Sequence, residues 1–220
     1  MEQRINDYMS KIYSLMGLGL LVSAIFAYLV YNSESLQSII FGNPFMIWVL
    51  IILELGLVVI ISGIIKSLPS STARTLFLIY SALNGLTISV ILFAYTLESV
   101  FMVFVITAGM FYALSVYARN TKKNLSGWGN FLYAALFGLI IALIVNIFLK
   151  SAMFDFILAI LGVLIFSGLI AYDNQKLMKL ASNIRDKESL SRLAVIGALS
   201  LYLDFVNLFL SLIRILGSRR

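Results

Sequence analysis

A chain of 220 residues that is 61% hydrophobic and 12% charged, with a mean hydropathy of +1.02, is excluded as a soluble globular protein, whose domains run at roughly 45–50% apolar and 25% charged. The net charge of +6 does not imply nucleic acid as a partner, because the 16 Lys and Arg fall mostly between hydrophobic stretches, as membrane orientation requires. Cysteine and histidine are both absent, which removes disulfides, thiolate metal sites, cysteine nucleophiles and the commonest general base, and leaves pH sensing to carboxylates.

A spanning helix needs about 20 apolar residues, and the chain offers seven such segments. Segment 1 is expected over about 12–31 and segment 2 over 45–65, joined by a polar loop with Asn32, Ser33, Glu34 and Pro44. Segment 3 (75–96) follows the turn around Pro69, and segment 4 (100–118) follows Glu98. After the basic turn of Arg119, Lys122 and Lys123 come segment 5 (128–149) and segment 6 (153–172), then an amphipathic charged stretch to about 190 and segment 7 (192–216). This is the pattern of an all-α integral membrane protein, one transmembrane domain over 1–220. Arg4, Asp7 and Lys11 precede segment 1 without a small-residue cleavage site, so it is expected to remain as an anchor.

Lys and Arg set the orientation. With the N-terminus cytoplasmic, the inner loops carry Arg4, Lys11, Lys66, Arg74, Arg119, Lys122, Lys123, Lys176, Lys179, Arg185, Lys187 and Arg192, and the outer loops carry only Lys150. Arg214, Arg219 and Arg220 lie outside if segment 7 crosses; its length and the absence of Pro or a central Gly favour crossing over re-entry.

Segment 7 holds the most informative pattern. Gly197, Ser200, Asp204, Asn207, Ser211 and Arg214 recur at steps of three and four, which puts them on one face of a helix. An acid in the middle of such a segment costs roughly 2.5–3.5 kcal/mol on insertion scales and marks function by default. Counted from Arg192, Asp204 lies about 18 Å into the membrane. Asp173 closes segment 6 and lies about 10 Å inside the helix end if that helix continues to Leu180. The two segments are consecutive and antiparallel, so the carboxylates of Asp173 and Asp204 can meet. A solvated helix end is the plainer reading of Asp173. In contact and poorly solvated, two acids share one proton and titrate as a pair. Ionised, they form a site of hard oxygens suited to Ca²⁺, with Ser200 and Asn207 a turn away and acids favouring cations in a pore.

Glu54 in segment 2 and Arg214 in segment 7 have compatible depths for an ion pair at the outer end; the alternative is that Arg214 snorkels to the headgroups and Glu54 pairs elsewhere. Asn84, with Gly85 and Thr87, forms a polar notch in segment 3 that offers ion-path oxygens or an interhelical hydrogen bond, and Asn146 forms another notch. The 16 Phe and 11 Tyr are absorbed by bilayer packing and interface belts. Gly17 and Gly19 read as close helix packing, and Gly127 and Gly129 flanking Trp128 as an interface turn.

The run from Gly197 through Asp204 to Leu210, closed by Leu-Ile-Arg-Ile-Leu-Gly217, resembles the signature of the Bax inhibitor-1 family. Tyr80 to Ser89, Thr107 to Phe111, Ala171 to Leu177 and the N-terminal Tyr8 to Tyr13 agree with it, the last being similar to bacterial inner-membrane members. The resemblance implies a bundle with segment 7 at the centre of the other six, pH-sensitive Ca²⁺ leak in the family, and cytoprotection in its eukaryotic members. Its paired acids fall on Asp173 and Asp204, and its segment-2 acid and segment-7 arginine on Glu54 and Arg214. Some members carry an arginine latch at the inner end of segment 2, where this chain has Ile65 and Lys66; a lysine is a weaker bidentate partner for carboxylates.

The leading expectation is a non-enzymatic leak for Ca²⁺ or another cation in the inner membrane, gated by the proton shared between Asp173 and Asp204. A second reading is a non-conducting regulator that binds another membrane protein, such as a quality-control protease. A remote third is an intramembrane aspartyl protease, which Tyr172-Asp173 fits but Tyr202-Leu-Asp204 does not, lacking Gly-x-Gly-Asp.

Overall fold

The computed structural model describes residues 2–64, 68–184 and 186–220. Among them are the helices α1 (Glu2–Asn32), α2 (Glu34–Phe41), α3 (Pro44–Ile64), α4 (Ser70–Ile88), α5 (Val90–Ala94), α6 (Leu97–Asn120), α7 (Gly129–Leu149), α8 (Ala152–Asn183) and α9 (Lys187–Leu216), with a 3-10 turn at Leu125–Trp128. No strand occurs among the described residues, only an isolated antiparallel bridge between Tyr95 and Arg219. Seven helical stretches there are long and apolar enough to span a membrane, α4 and α5 counting as one.

The spans fall where hydropathy predicts, and their ends do not. The first helix begins ten residues before the expected apolar core, because its polar start is amphipathic: Tyr8, Met9 and Ile12 are buried. From the same turn Arg4 donates to the carbonyls of Ala181 and Ser182, 3.1 Å each, at the end of α8. The expected loop after α1 contains α2. Ser33 caps it by accepting from the Leu36 amide, Gln37 donates to the last carbonyls of α1, and Ile40 packs with Val30 and Leu50. Segment 6 and the charged stretch after it form one helix as far as Asn183.

Contacts divide the chain into two compact units. The first comprises 1–94, 180–202 and Arg220, and the second 95–179 and 203–219. In the first, α1 packs chiefly on α4, and α3 on the same helix. Glycine makes the approach possible: a Cβ at Gly19 would stand 2.6 Å from the Phe77 ring, and one at Gly85 2.5 Å from the Ser23 carbonyl oxygen. Gly17, expected to do the same, has open space around it. Gly85→Ala is therefore expected to destabilise by about 1–3 kcal/mol, outweighing the roughly 1 kcal/mol that alanine gains in a helix. Gly17→Ala should leave the thermal unfolding midpoint in detergent level or raise it.

In the second unit Phe205 meets Phe104 and Phe111 edge to face, Gly129 lies under the Tyr172 ring, and Gly168 against Leu132. The end of α9 is tied to the start of α6: the Thr96 amide donates to the Ser218 carbonyl at 3.0 Å and the Ser218 amide to Ser99 Oγ at 2.9 Å. The span containing α9 is 67% buried, against 11–39% for the other six. Its apolar residues, which hydropathy alone would give to lipid, are enclosed by protein: Leu199, Leu201, Leu208 and Ile213 are all buried.

Candidate functional site

Two polar clusters are buried in apolar helices, one in each unit. The first is the acid pair. Because α8 runs on to Asn183, Asp173 stands ten residues from its end, about 15 Å inside it, and is 3% exposed. That disposes of the solvated-helix-end reading. Asp204, 6% exposed, lies close enough to Asp173 and Lys176 for both charges to act on it. The Tyr133 hydroxyl donates to Asp173 Oδ1 at 3.2 Å. Lys176, one turn beyond Asp173, holds its ammonium 5.7 Å from the Tyr133 ring centre and 5.6 Å from that of Tyr172, within cation–π range. Asp204 Oδ2 is enclosed and has no hydrogen-bond partner among the described residues.

Elementary electrostatics limits what this arrangement can do. Two ionised carboxylates are held in a poorly solvated site, with the ammonium of the exposed Lys176 at its edge and one acceptor oxygen without a donor among the described residues. A buried acceptor without a donor costs about 1–3 kcal/mol. A proton on the pair, or a hard cation beside it, relieves both the repulsion and the vacancy. Among the described residues no three acids converge as a metal site. Two carboxylates and a phenol fall short of the roughly six to eight oxygens Ca²⁺ prefers, so such a cation is held weakly.

The second cluster surrounds Glu54, which is 9% exposed. Thr87 Oγ1 donates to its Oε1 at 2.5 Å and Asn84 Nδ2 to its Oε2 at 3.0 Å. The Tyr202 hydroxyl donates to Asn84 Oδ1 at 2.8 Å and lies 2.6 Å from Ser23 Oγ, which itself reaches the Ser81 carbonyl at 2.7 Å. Side chains of α1, α3, α4 and α9 are thereby joined by one chain of hydrogen bonds.

Sequence reading brings Asp173 and Asp204 together; in the structure both are buried in the second unit, and the Asp173 charge acts on Asp204. It pairs Glu54 with Arg214, whereas the structure gives each a different partner. Both carboxylate oxygens of Glu54 are taken by Asn84 and Thr87. Arg214 lies 3.8 Å from Asp155, an acid in the first turn of α8, with both side chains about a third exposed. Asn84 belongs to the Glu54 cluster. Asn207 turns back on its own helix, donating to the Leu203 carbonyl at 2.8 Å, and Ser200 is half-buried. Asn146 serves the end of α7, accepting from the Ser151 amide. The latch position, Ile65 and Lys66, lies outside the described residues.

Tyr133, Lys176, Tyr202 and Asp155 escape a sequence reading as site residues, whereas Thr87 belongs to the polar notch that sequence reading places around Asn84. The tyrosines are hidden among interface aromatics, and Lys176 reads as a loop cation. Only the spacing Asp173 to Lys176, one helical turn, hints that an acid and a cation share a face.

Residues 5–220 match the family model described as inhibitor of apoptosis-promoting Bax1. The chain is 44% identical over 218 residues to the inner membrane protein YbhL of Escherichia coli K12, covering 98% of this chain and 93% of that one. It is 44% identical over 216 residues to an uncharacterized protein of Borreliella burgdorferi, again 98% and 93% of the two chains. A membrane protein of Streptococcus pyogenes serotype M6 is 43% identical over 215 residues, 97% of this chain and 93% of its own.

Proposed function

The chain belongs to the Bax inhibitor-1 family of membrane proteins, and from that premise we propose that it is a pH-sensitive cation leak, permeable to Ca²⁺, with Asp173 and Asp204 as its proton-loaded gate. Its membrane is the bacterial inner membrane, with the N-terminus cytoplasmic. The observation that carries this reading is the enclosed, unpartnered Asp204 Oδ2 beside a second acid. A stability-driven core has no use for it, since replacing buried charges by apolar residues is often neutral or stabilising.

The mechanism follows from charge. With both acids ionised, the −2 of the pair exceeds the +1 of Lys176, and a cation is drawn to the hard oxygens. One shared proton brings the site to neutrality and removes that attraction. Cation occupancy therefore falls as pH falls. Few ligands and a weak hold suit passage, because conduction requires an ion to leave as readily as it enters. Tyr133 steers Asp173, and the aromatic faces keep Lys176 from closing onto the pair. No covalent step is involved.

Competition between protons and a hard cation tests this directly. Tb³⁺, which takes the same oxygen ligands as Ca²⁺, should give tyrosine-sensitised luminescence that grows from mildly acidic to mildly alkaline pH in the parent protein. Asp173→Asn should lose most of that signal at every pH. Luminescence that is independent of pH, or that persists in Asp173→Asn and Asp204→Asn alike, overturns the reading.

A further inference from the structure

The second unit carries a feature the cation pathway does not use. Between α6, α7 and α8 lies an open cleft of about 560 Å³, within the roughly 300–1,000 Å³ of small-molecule sites. Ala135, Gly168 and Ala171 leave the space by being small, and Tyr117 and Trp128 flank it. Its walls are almost wholly apolar, so an alkyl chain fits them better than any polar ligand.

One end of the cleft is bounded by Leu125 and Trp128 of the 3-10 turn, next in sequence to Arg119 in the last turn of α6 and to Lys122 and Lys123 in the loop that follows. These three cations are exposed. No Asp or Glu occurs between Ser99 and Phe154. The loop is also held in place. Gln175 on α8 accepts from the Leu125 amide at 2.8 Å and donates to the Lys123 carbonyl at 2.9 Å. Lys179 reaches Asn124 Oδ1 at 2.6 Å and Ser126 Oγ at 2.9 Å. An apolar slot thus opens beside a fixed cluster of positive charge, with an indole at the level where interface tryptophans sit. That is the chemistry of an anionic phospholipid: an acyl chain for the slot and a phosphate-bearing headgroup for the lysines.

We propose that the cleft between α6, α7 and α8 is a binding site for an anionic phospholipid of the surrounding bilayer, its acyl chain in the cleft and its headgroup on Lys122 and Lys123. A zwitterionic lipid offers the same chain without the net negative charge, and a neutral membrane-soluble molecule has no use for the lysines.

The chain has two tryptophans, Trp48 and Trp128, so Trp48→Phe leaves Trp128 as a reporter at the cleft. In phosphatidylcholine vesicles, phosphatidylglycerol with brominated acyl chains should quench this tryptophan with a relative affinity about fivefold or more above that of brominated phosphatidylcholine. Lys122→Gln with Lys123→Gln, both on an exposed loop, should bring that ratio close to one. Ala135→Phe, which fills the cleft, should do the same with the lysines intact. Equal quenching by the two lipids, a preference that survives loss of both lysines, or one that survives Ala135→Phe each overturns the proposal.

Discussion

Asp204→Asn is expected to give a protein about 1–3 kcal/mol more stable than its parent at neutral pH, while removing the charge on which the proposed gate depends. The parent holds two acids near each other in a site where one oxygen has no donor among the described residues. An asparagine at the same position keeps the volume, brings two N–H donors and ends the repulsion with Asp173. In effect it fixes the shared-proton state. The pH dependence has a definite sign. As pH falls the parent's own pair takes up a proton and relieves its repulsion, so the advantage of the variant is largest in alkaline solution and shrinks towards acid. Thermal unfolding of both proteins in the same detergent at two pH values reads this out. A variant less stable than the parent would mean that the Asp204 carboxylate is a structural partner and not a strained one. Retaining a costly group at a working site is the usual trade between stability and activity.

Glu54 shows the opposite behaviour. Its two oxygens accept from Asn84 and Thr87, and Asn84 in turn accepts from Tyr202. Glu54→Leu leaves the Asn84 amide without an acceptor in a buried site, at a cost of about 1–3 kcal/mol. Thr87 is spared because its hydroxyl also lies 3.3 Å from the Leu83 carbonyl. The same alternative makes Glu54→Gln mild. The new amide oxygen accepts from Asn84, the new N–H₂ donates to Thr87, and Thr87 turns its proton to Leu83. Unfolding midpoints should therefore rank parent and Glu54→Gln close together, with Glu54→Leu well below. A leucine variant as stable as the parent contradicts a structural role for the network. Because a protonated Glu54 can likewise accept from Asn84 and donate its one O–H to Thr87, the cluster tolerates either protonation state, whereas the Asp173–Asp204 pair strains in one of them.

Hydropathy and helical spacing carry a reader far in this chain. Spans of about 20 apolar residues in a hydrocarbon solvent have few alternatives to a helix, which is why the seven spans are legible. The stripe on α9 is legible for the same reason, since lipid makes every polar residue conspicuous. What hydropathy misses is everything decided by tertiary contact. The amphipathic start of α1 looks polar until Arg4 finds the end of α8. The short α2 reads as a loop because its eight residues are too few to stand out by periodicity. Gly17 and Gly19 are indistinguishable in sequence, yet only Gly19 meets another helix. Tyr133 and Tyr202 are the hardest. A tyrosine at a membrane interface and one donating to a buried carboxylate or amide have the same letter and the same hydropathy, and only the fold separates them. Asp155 escapes because it sits at a helix start, where an acid suits the dipole and raises no question.

The acid pair and the gating it is proposed to perform are joined by one measurement. Purified protein reconstituted into vesicles loaded with a Ca²⁺ indicator should admit Ca²⁺ at a rate that changes with external pH. Asp173→Asn and Asp204→Asn, folded by the same unfolding assay, should each give a rate that no longer responds to pH. An unaltered pH response in both variants, or no Ca²⁺ entry through the parent at any pH, would contradict the account.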